Sequence, residues 1–306
     1  MSKFILPATF VLALLAAGCS GGGGNVANRP VDKNSPPDVL VKNAVETRTA
    51  LSSLAGKGVM RIVDQPNRFG LTVNADVVAD DSDRLRIRAD KLAGSIQAFD
   101  VVKLGDDIGF YIPTQKTLYH GKVNELRNFS FRFDPDEVLR QMLRPETALL
   151  LRRWRYGDAG PDDPSGSVVV EEDAPANRPR LRLAINSRTG MITTITQLDP
   201  MGNPYLVKKF DDYRTLARDK RGSRMSDDSV FPYLISFSWP RDKRMMEMRF
   251  KSVEGNAVVL DEDFDIAASA DTRYLPLQEA QMDPSLSDEP MASAAVSSEH
   301  ALAAVQ

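Results

Sequence analysis

The spacing of apolar residues along the chain changes at Gly58. Before it, Leu40, Ala44, Leu51 and Leu54 recur at helical spacing behind Ser35-Pro36-Pro37-Asp38. That start resembles a capping box with prolines in the first turn, and Gly56 and Gly58 close the run, so the spacing predicts a helix. After Gly58 the period falls to two. Phe69, Leu71, Val73, Ala75 and Val77 alternate with polar or small residues, and Leu85, Ile87 and Ala89 alternate with Arg84, Arg86 and Arg88. The same alternation returns at Leu181, Leu183 and Ile185, at Tyr233, Ile235, Phe237 and Trp239, and at Met246, Met248 and Phe250. Strict alternation marks antiparallel strands with one dry and one wet face.

Turn chemistry punctuates these runs. Asp64-Gln65-Pro66-Asn67, Asp80-Asp81, Gly105-Asp106-Asp107, Ser187 to Gly190, Pro200 to Asn203 and Glu254-Gly255-Asn256 each separate two alternating stretches. Roughly ten short strands result, enough for a large curved sheet. One helix interrupts the series. Asp134-Pro135-Asp136-Glu137 supplies an N-cap, a proline at N1 and an acid at N3, with Phe133 and Val138 placed for a hydrophobic staple. Leu139, Met142 and Leu143 form its apolar face. Pro145 breaks it, and Glu146 to Trp154 predicts a further turn carrying Leu149, Leu150 and Trp154.

The N-terminus alters the picture. Lys3, an apolar stretch from Phe4 to Leu15 and the small residues Ala16-Ala17-Gly18 lead to Cys19. This is the layout of a secretory signal, and the apolar stretch is short of the roughly 20 residues a membrane span needs. Cys19 is the only cysteine among 306 residues, so no internal disulfide is available to it. Leu15-Ala16-Ala17-Gly18-Cys19 resembles the lipobox of bacterial lipoproteins, with Ala16 where Leu is more usual. The resemblance implies a diacylglycerol thioether on Cys19, cleavage before it and acylation of the new amine. Residues 1–18 are then a signal peptide, and 19–37, with four consecutive glycines, a flexible tether. A domain over 38–277 follows, and 278–306, rich in Ala, Ser, Glu and Asp, reads as a disordered tail. Ser20 after the cysteine resembles an outer-membrane sorting signal, so the expected location is the outer membrane, facing the periplasm.

The net charge of −3, with 26% charged and 42% hydrophobic residues, shows no basic surplus of the kind nucleic-acid binding uses. The two histidines are His120 and His300. They leave no Ser-His-Asp set, no Cys-His pair and no His-based zinc site, so neither an enzyme nor a metal or other cofactor is expected. Gly21 to Gly24 has no strand before it, unlike a phosphate-binding loop.

Three stretches of the chain are similar to the LolA/LolB type of lipoprotein carriers and their lipidated relatives. They are Ala50 to Met60, Arg84 to Gly121 and Glu254 to Ile266. The resemblance implies an α+β, mostly β fold: an incompletely closed, strongly curved antiparallel sheet, or half-barrel, with helices on its concave side. It also implies an apolar cavity for the acyl chains of lipoproteins or lipids. The residues expected to line it are Phe69, Leu71, Val73, Leu85, Ile87, Leu181, Leu183, Tyr233, Phe237, Met246, Met248 and Phe250, with Leu139, Met142 and Leu143 as a lid. The expected partners are the membrane, through the lipid anchor, and acyl chains. Any one of these residues also reads as plain core packing. An envelope protein-interaction or stress-sensing module and a structural accessory lipoprotein are the competing readings. The arginines 84, 86, 88, 180 and 182 read either as a headgroup-binding patch or as a solvated strand face.

Overall fold

The computed structural model describes residues 30–48, 50–91, 96–128, 134–144, 146–160, 163–175, 177–216, 229–280 and 287. Cys19, Phe133, residues 1–18 and most of 278–306 lie outside them. Fourteen strands form one sheet. In chain order they are β1 (Ser53–Asp64), β2 (Phe69–Asp80), β3 (Arg84–Lys91), β4 (Ile96–Leu104), β5 (Asp107–Ile112), β6 (Thr117–Lys122) and β7 (Trp154–Tyr156). Then come β8 (Ser167–Glu172), β9 (Arg180–Asn186), β10 (Ile192–Leu198), β11 (Pro204–Thr215), β12 (Val230–Trp239), β13 (Arg244–Gly255) and β14 (Arg273–Pro276). The spatial order is β14-β6-β5-β4-β3-β2-β1-β13-β12-β11-β10-β9-β8-β7, antiparallel except where β14 adds parallel to β6. The sheet is open: β14 and β7 are its edges and do not pair.

Two meanders, β1–β6 and β7–β13, meet where β13 returns beside β1. The chain therefore finishes the first meander near one edge and begins the second at the other. Residues 123–153 must cross the whole sheet between them, and this crossing carries helix α2 (Pro135–Leu143) and a 3-10 turn at Thr147–Leu151. Helix α1 (Pro37–Thr47) packs on that turn and on β7, while α2 lies on β1, β2 and β3.

The turns behave as their residues predict. Asp199 accepts the amides of Met201 and Asn203, Asn67 bonds to Asp64, and positive φ falls on Gly105, Gly190, Gly202 and Asn256. Asp134 caps α2 by accepting the Glu137 amide at 3.0 Å.

The opening helix departs from its expectation at both ends. It stops at Thr47, and its N-cap is Pro36, without a side-chain cap, while Ser35 bonds to Asp32 instead. Leu54, Gly56 and Gly58 belong to β1, where they share the buried face with Met60 and Ile62 and alternate with Ala55, Lys57, Val59 and Arg61. The glycines are demanded by β13, not by a helix end. A Cβ on Gly58 would sit 2.3 Å from the Arg249 carbonyl oxygen, at the point where the β1–β13 register slips. One on Gly56 would meet the Phe250 ring at 2.7 Å. Close strand approach explains both.

Candidate functional site: the hollow of the sheet and its crossing helix

The alternation places one residue set on the concave face. Pairing runs Ala79 to Leu85, Val77 to Ile87 and Ile87 to Val101 on one side of β1, and Ile62 to Met246, Met248 to Ile235 and Phe237 to Met246 on the other. Phe69, Leu71, Val73, Leu85, Ile87, Leu183, Tyr233, Phe237, Met246, Met248 and Phe250 all lie in one buried cluster, none more than 8% exposed. Leu181 packs against that cluster half-buried. Leu139, Met142 and Leu143, with Val138, form the buried side of α2 in the same cluster. The hollow is thus lined by side chains from both meanders and covered from above by the crossing segment.

The seat of α2 is polar at one end, which the hydrophobic pattern did not expose. Lys103 on β4 follows the inward residues Phe99 and Val101, and Lys208 on β11 lies between Leu206 and Phe210 on the same face. Both lysines are almost fully buried. Lys103 pairs with Asp136 at 3.0 Å and with Asp83 at 2.6 Å. Lys208 pairs with Glu137 and, at 2.8 Å, with Glu146. Gln141 donates to Glu137 at 2.9 Å and also to Glu146. Burial pushes the Glu146 carboxyl up, but the Lys208 ammonium more than offsets it and leaves the group below its ordinary range. The available signal was a lysine in phase with apolar neighbours.

This geometry measures the curvature. Asp136 and Glu137 are adjacent in the chain, yet their lysines come from strands six places apart in the sheet. Flat strands spaced about 4.8 Å apart would separate them by ~29 Å. The sheet curls around α2, and the first turn of the helix bridges its two halves. At the other end, the Leu143 carbonyl accepts the Leu51 amide at 2.7 Å and ties α2 to the segment entering β1.

A small cleft of about 20 Å³ lies where α1 ends, lined by Ala44, Val45, Arg48, Glu146, Met191, Ile192, Ile195, Phe210 and Tyr213. The Arg48 guanidinium lies 5.6 Å from the Phe210 ring centre, with its Nη2 buried and unbonded. Desolvation pushes its pKa down and pushes that of the Tyr213 phenol up. Tyr213 donates to the Ile192 carbonyl at 2.6 Å.

The arginine ladder on the convex face is neutralised within the fold. Arg84 pairs with Asp80 and Asp261, each at 2.6 Å, and lies over the Phe264 ring. Arg86 makes a two-pronged pair with Asp100, and Arg182 pairs with Asp163 at 2.6 Å. These side chains fasten residues 261–264, Asp158 and Asp163 to the sheet. Among the described residues there is no group of His, Cys, Asp or Glu placed to hold a metal ion, and no helix long and apolar enough to cross a membrane.

No family model and no curated protein matches the sequence. Solved structures do. A LolA superfamily protein, NE2245 from Nitrosomonas europaea, is 10% identical, covering 76% of this chain and 98% of its own, with a TM-score of 0.44. A DUF1329 family protein from Desulfovibrio piger is 11% identical over 76% and 96%, with a TM-score of 0.50. The lipoprotein LppX from Mycobacterium tuberculosis is 12% identical over 73% and 96%, at 0.31. The likeness is one of fold alone, an open, curved and mostly antiparallel sheet.

Proposed function

We propose that this protein is a lipid-anchored envelope lipoprotein that takes acyl chains of lipoproteins or lipids into the hollow of its sheet, in the manner of a carrier or acceptor. The observation that carries the reading is the seat of α2. An apolar helix face lies on an apolar concave face, but the helix is fastened at its first turn by charged pairs and at its last by one backbone bond. Such a cover can lift without unfolding the sheet beneath it.

The magnitudes suit exchange. Lifting α2 uncovers Val138, Leu139, Met142 and Leu143, at about 2 kcal/mol each, or ~8 kcal/mol together. An acyl chain of about fourteen methylenes laid in the same place recovers ~11 kcal/mol at 0.8 kcal/mol per methylene. Entry and release are then both accessible, as a carrier needs. Arg48, at the rim of the hollow with an unbonded Nη2, offers a donor to the ester or carboxylate end of such a chain. Anchoring through Cys19 would hold the protein on the outer membrane, facing the periplasm.

Native mass spectrometry of the soluble domain tests this: co-purified lipid, or saturable binding of a fluorescent fatty acid, is the expected result. The second reading is a structural accessory lipoprotein with a filled core. It is favoured by the near-complete burial of the lining side chains, and a folded protein that binds no acyl chain would establish it.

A further inference from the structure

Each of the two buried lysines of the hollow stands in an apolar wall. Lys103 is flanked in the sheet by Leu85 on β3 and Ile108 on β5, and Lys208 by Ile195 on β10 and Phe237 on β12. All four neighbours are buried. An ammonium in such a place needs a carboxylate against it. The two lysines find theirs differently. Lys103 has Asp83, at 2.6 Å, from the turn between β2 and β3, so the sheet itself supplies a partner besides Asp136. Among the described residues, both carboxylates that pair with Lys208, Glu137 and Glu146, lie on the crossing segment.

The charges held out of water around Lys208 balance only while α2 is in place. Arg48 shares the small cleft with Glu146, and its Nη2 is buried and unbonded. Lys208 and Arg48 therefore stand with Glu137 and Glu146, two cations with two acids. Lifting α2 removes Glu137, and with it the solvated Arg140 that pairs with Glu137 from outside. It also removes Gln141, which donates to Glu146. Two desolvated cations are then left with one carboxylate, and the seat is short of one negative charge. A neutral chain laid there fills the volume and leaves Lys208 underpaired, whereas a chain with an anionic head supplies both needs.

We infer that Lys208 receives the anionic head of the ligand in the place of Glu137. The cargo is then an acyl chain with a free negative head, a carboxylate or a phosphate, rather than the uncharged glycerol thioether of a lipoprotein. Head and Glu137 compete for one ammonium, so binding the ligand and releasing the first turn of α2 are a single exchange. The inference rests on the acyl-chain reading of the hollow and narrows its ligand.

The test compares heads on one tail. The whole chain from residue 19 to 306, made without lipid, is titrated with a pyrene-labelled fatty acid and with the alcohol of the same length. Both should bind saturably, the acid about tenfold tighter, the worth of one charged hydrogen bond. Lys208→Met should bring the acid down to the affinity of the alcohol. Lys103→Met, which breaks the other pair with α2, should keep the preference. Glu137→Gln removes the internal competitor while preserving the shape of the seat, and should widen the preference beyond tenfold. Unlabelled dodecanoate and dodecyl phosphate, used as competitors, tell a carboxylate head from a phosphate one. Equal affinity of the wild type for acid and alcohol would overturn the inference and leave the acyl-chain reading standing, a comparison that needs no variant to fold. A preference that survives in folded Lys208→Met protein would likewise defeat it. Binding of neither probe would remove the acyl-chain reading and the inference together.

Discussion

Three inward-facing positions set the character of the hollow more than their neighbours do. Lys208 is nearly buried between Glu137 and Glu146, where its charge is tolerated because two carboxylates and Gln141 complete the cluster. Lys208→Met removes one partner and strands the acids, so a loss of about 3 kcal/mol is expected, the low end for a broken buried pair. The shift of the urea midpoint measures it. Leu183 is fully buried in β9, and Leu183→Gln puts an amide with no partner into an apolar wall. Binding of a fluorescent fatty acid should be abolished in the fraction that remains folded, with circular dichroism run alongside to count that fraction. Unchanged binding in a folded Leu183→Gln protein would turn the acyl-chain reading toward the accessory one. Gly58 is the third. Any Cβ there meets the Arg249 backbone, which cannot move as a side-chain end can, so Gly58→Ala should destabilise more than Gly105→Ala, where space is open but φ is positive. Thermal midpoints of the two variants decide it.

At the scale of the element, α2 is held by its ends. Asp134→Ala deletes the N-cap bond and should cost about 1 kcal/mol, read as earlier hydrogen exchange in α2 than in β1 or β2. Acid acts on the same end. Glu146 is depressed below its ordinary value of 4.5 by Lys208, so its contribution is complete above that value and is lost as pH falls through the lower folded one. The clamp should be insensitive to pH near neutrality and loosen below about pH 4.5. Urea midpoints measured across that range should fall for the wild type and fall less for Lys208→Met, which lacks the ammonium that creates the shift.

At the scale of the whole molecule, the openness of the sheet and the proposed anchor at Cys19 are tested apart. A closed barrel would have no path for a chain entering sideways, whereas this sheet ends at β7 and β14 and is covered by helix α2. Cys19→Ser should move the protein from the detergent phase to the aqueous phase of a detergent partition. Wild-type protein found in the aqueous phase would defeat the anchor. Both meanders should unfold together, because β1 and β13 join them along eleven paired residues and one core runs beneath both. Two separate transitions would contradict this.

The sequence by itself determined which faces are dry. Alternation at Phe69 to Val77, Leu85 to Ala89 and Met246 to Phe250 needs no knowledge of neighbours, because side chains on a strand point alternately whatever it pairs with. Asp134-Pro135 marked a helix start for the same reason: a cap is made within four residues. What lay beyond reach depended on partners far along the chain. Leu54, Gly56 and Gly58 fit a helical end until β13, nearly two hundred residues later, is laid beside them. Lys103 and Lys208 read as ordinary polar residues in strands until the sheet curls and brings both to adjacent acids of one helix. Local pattern fixes a residue's face, and only the fold decides what that face meets.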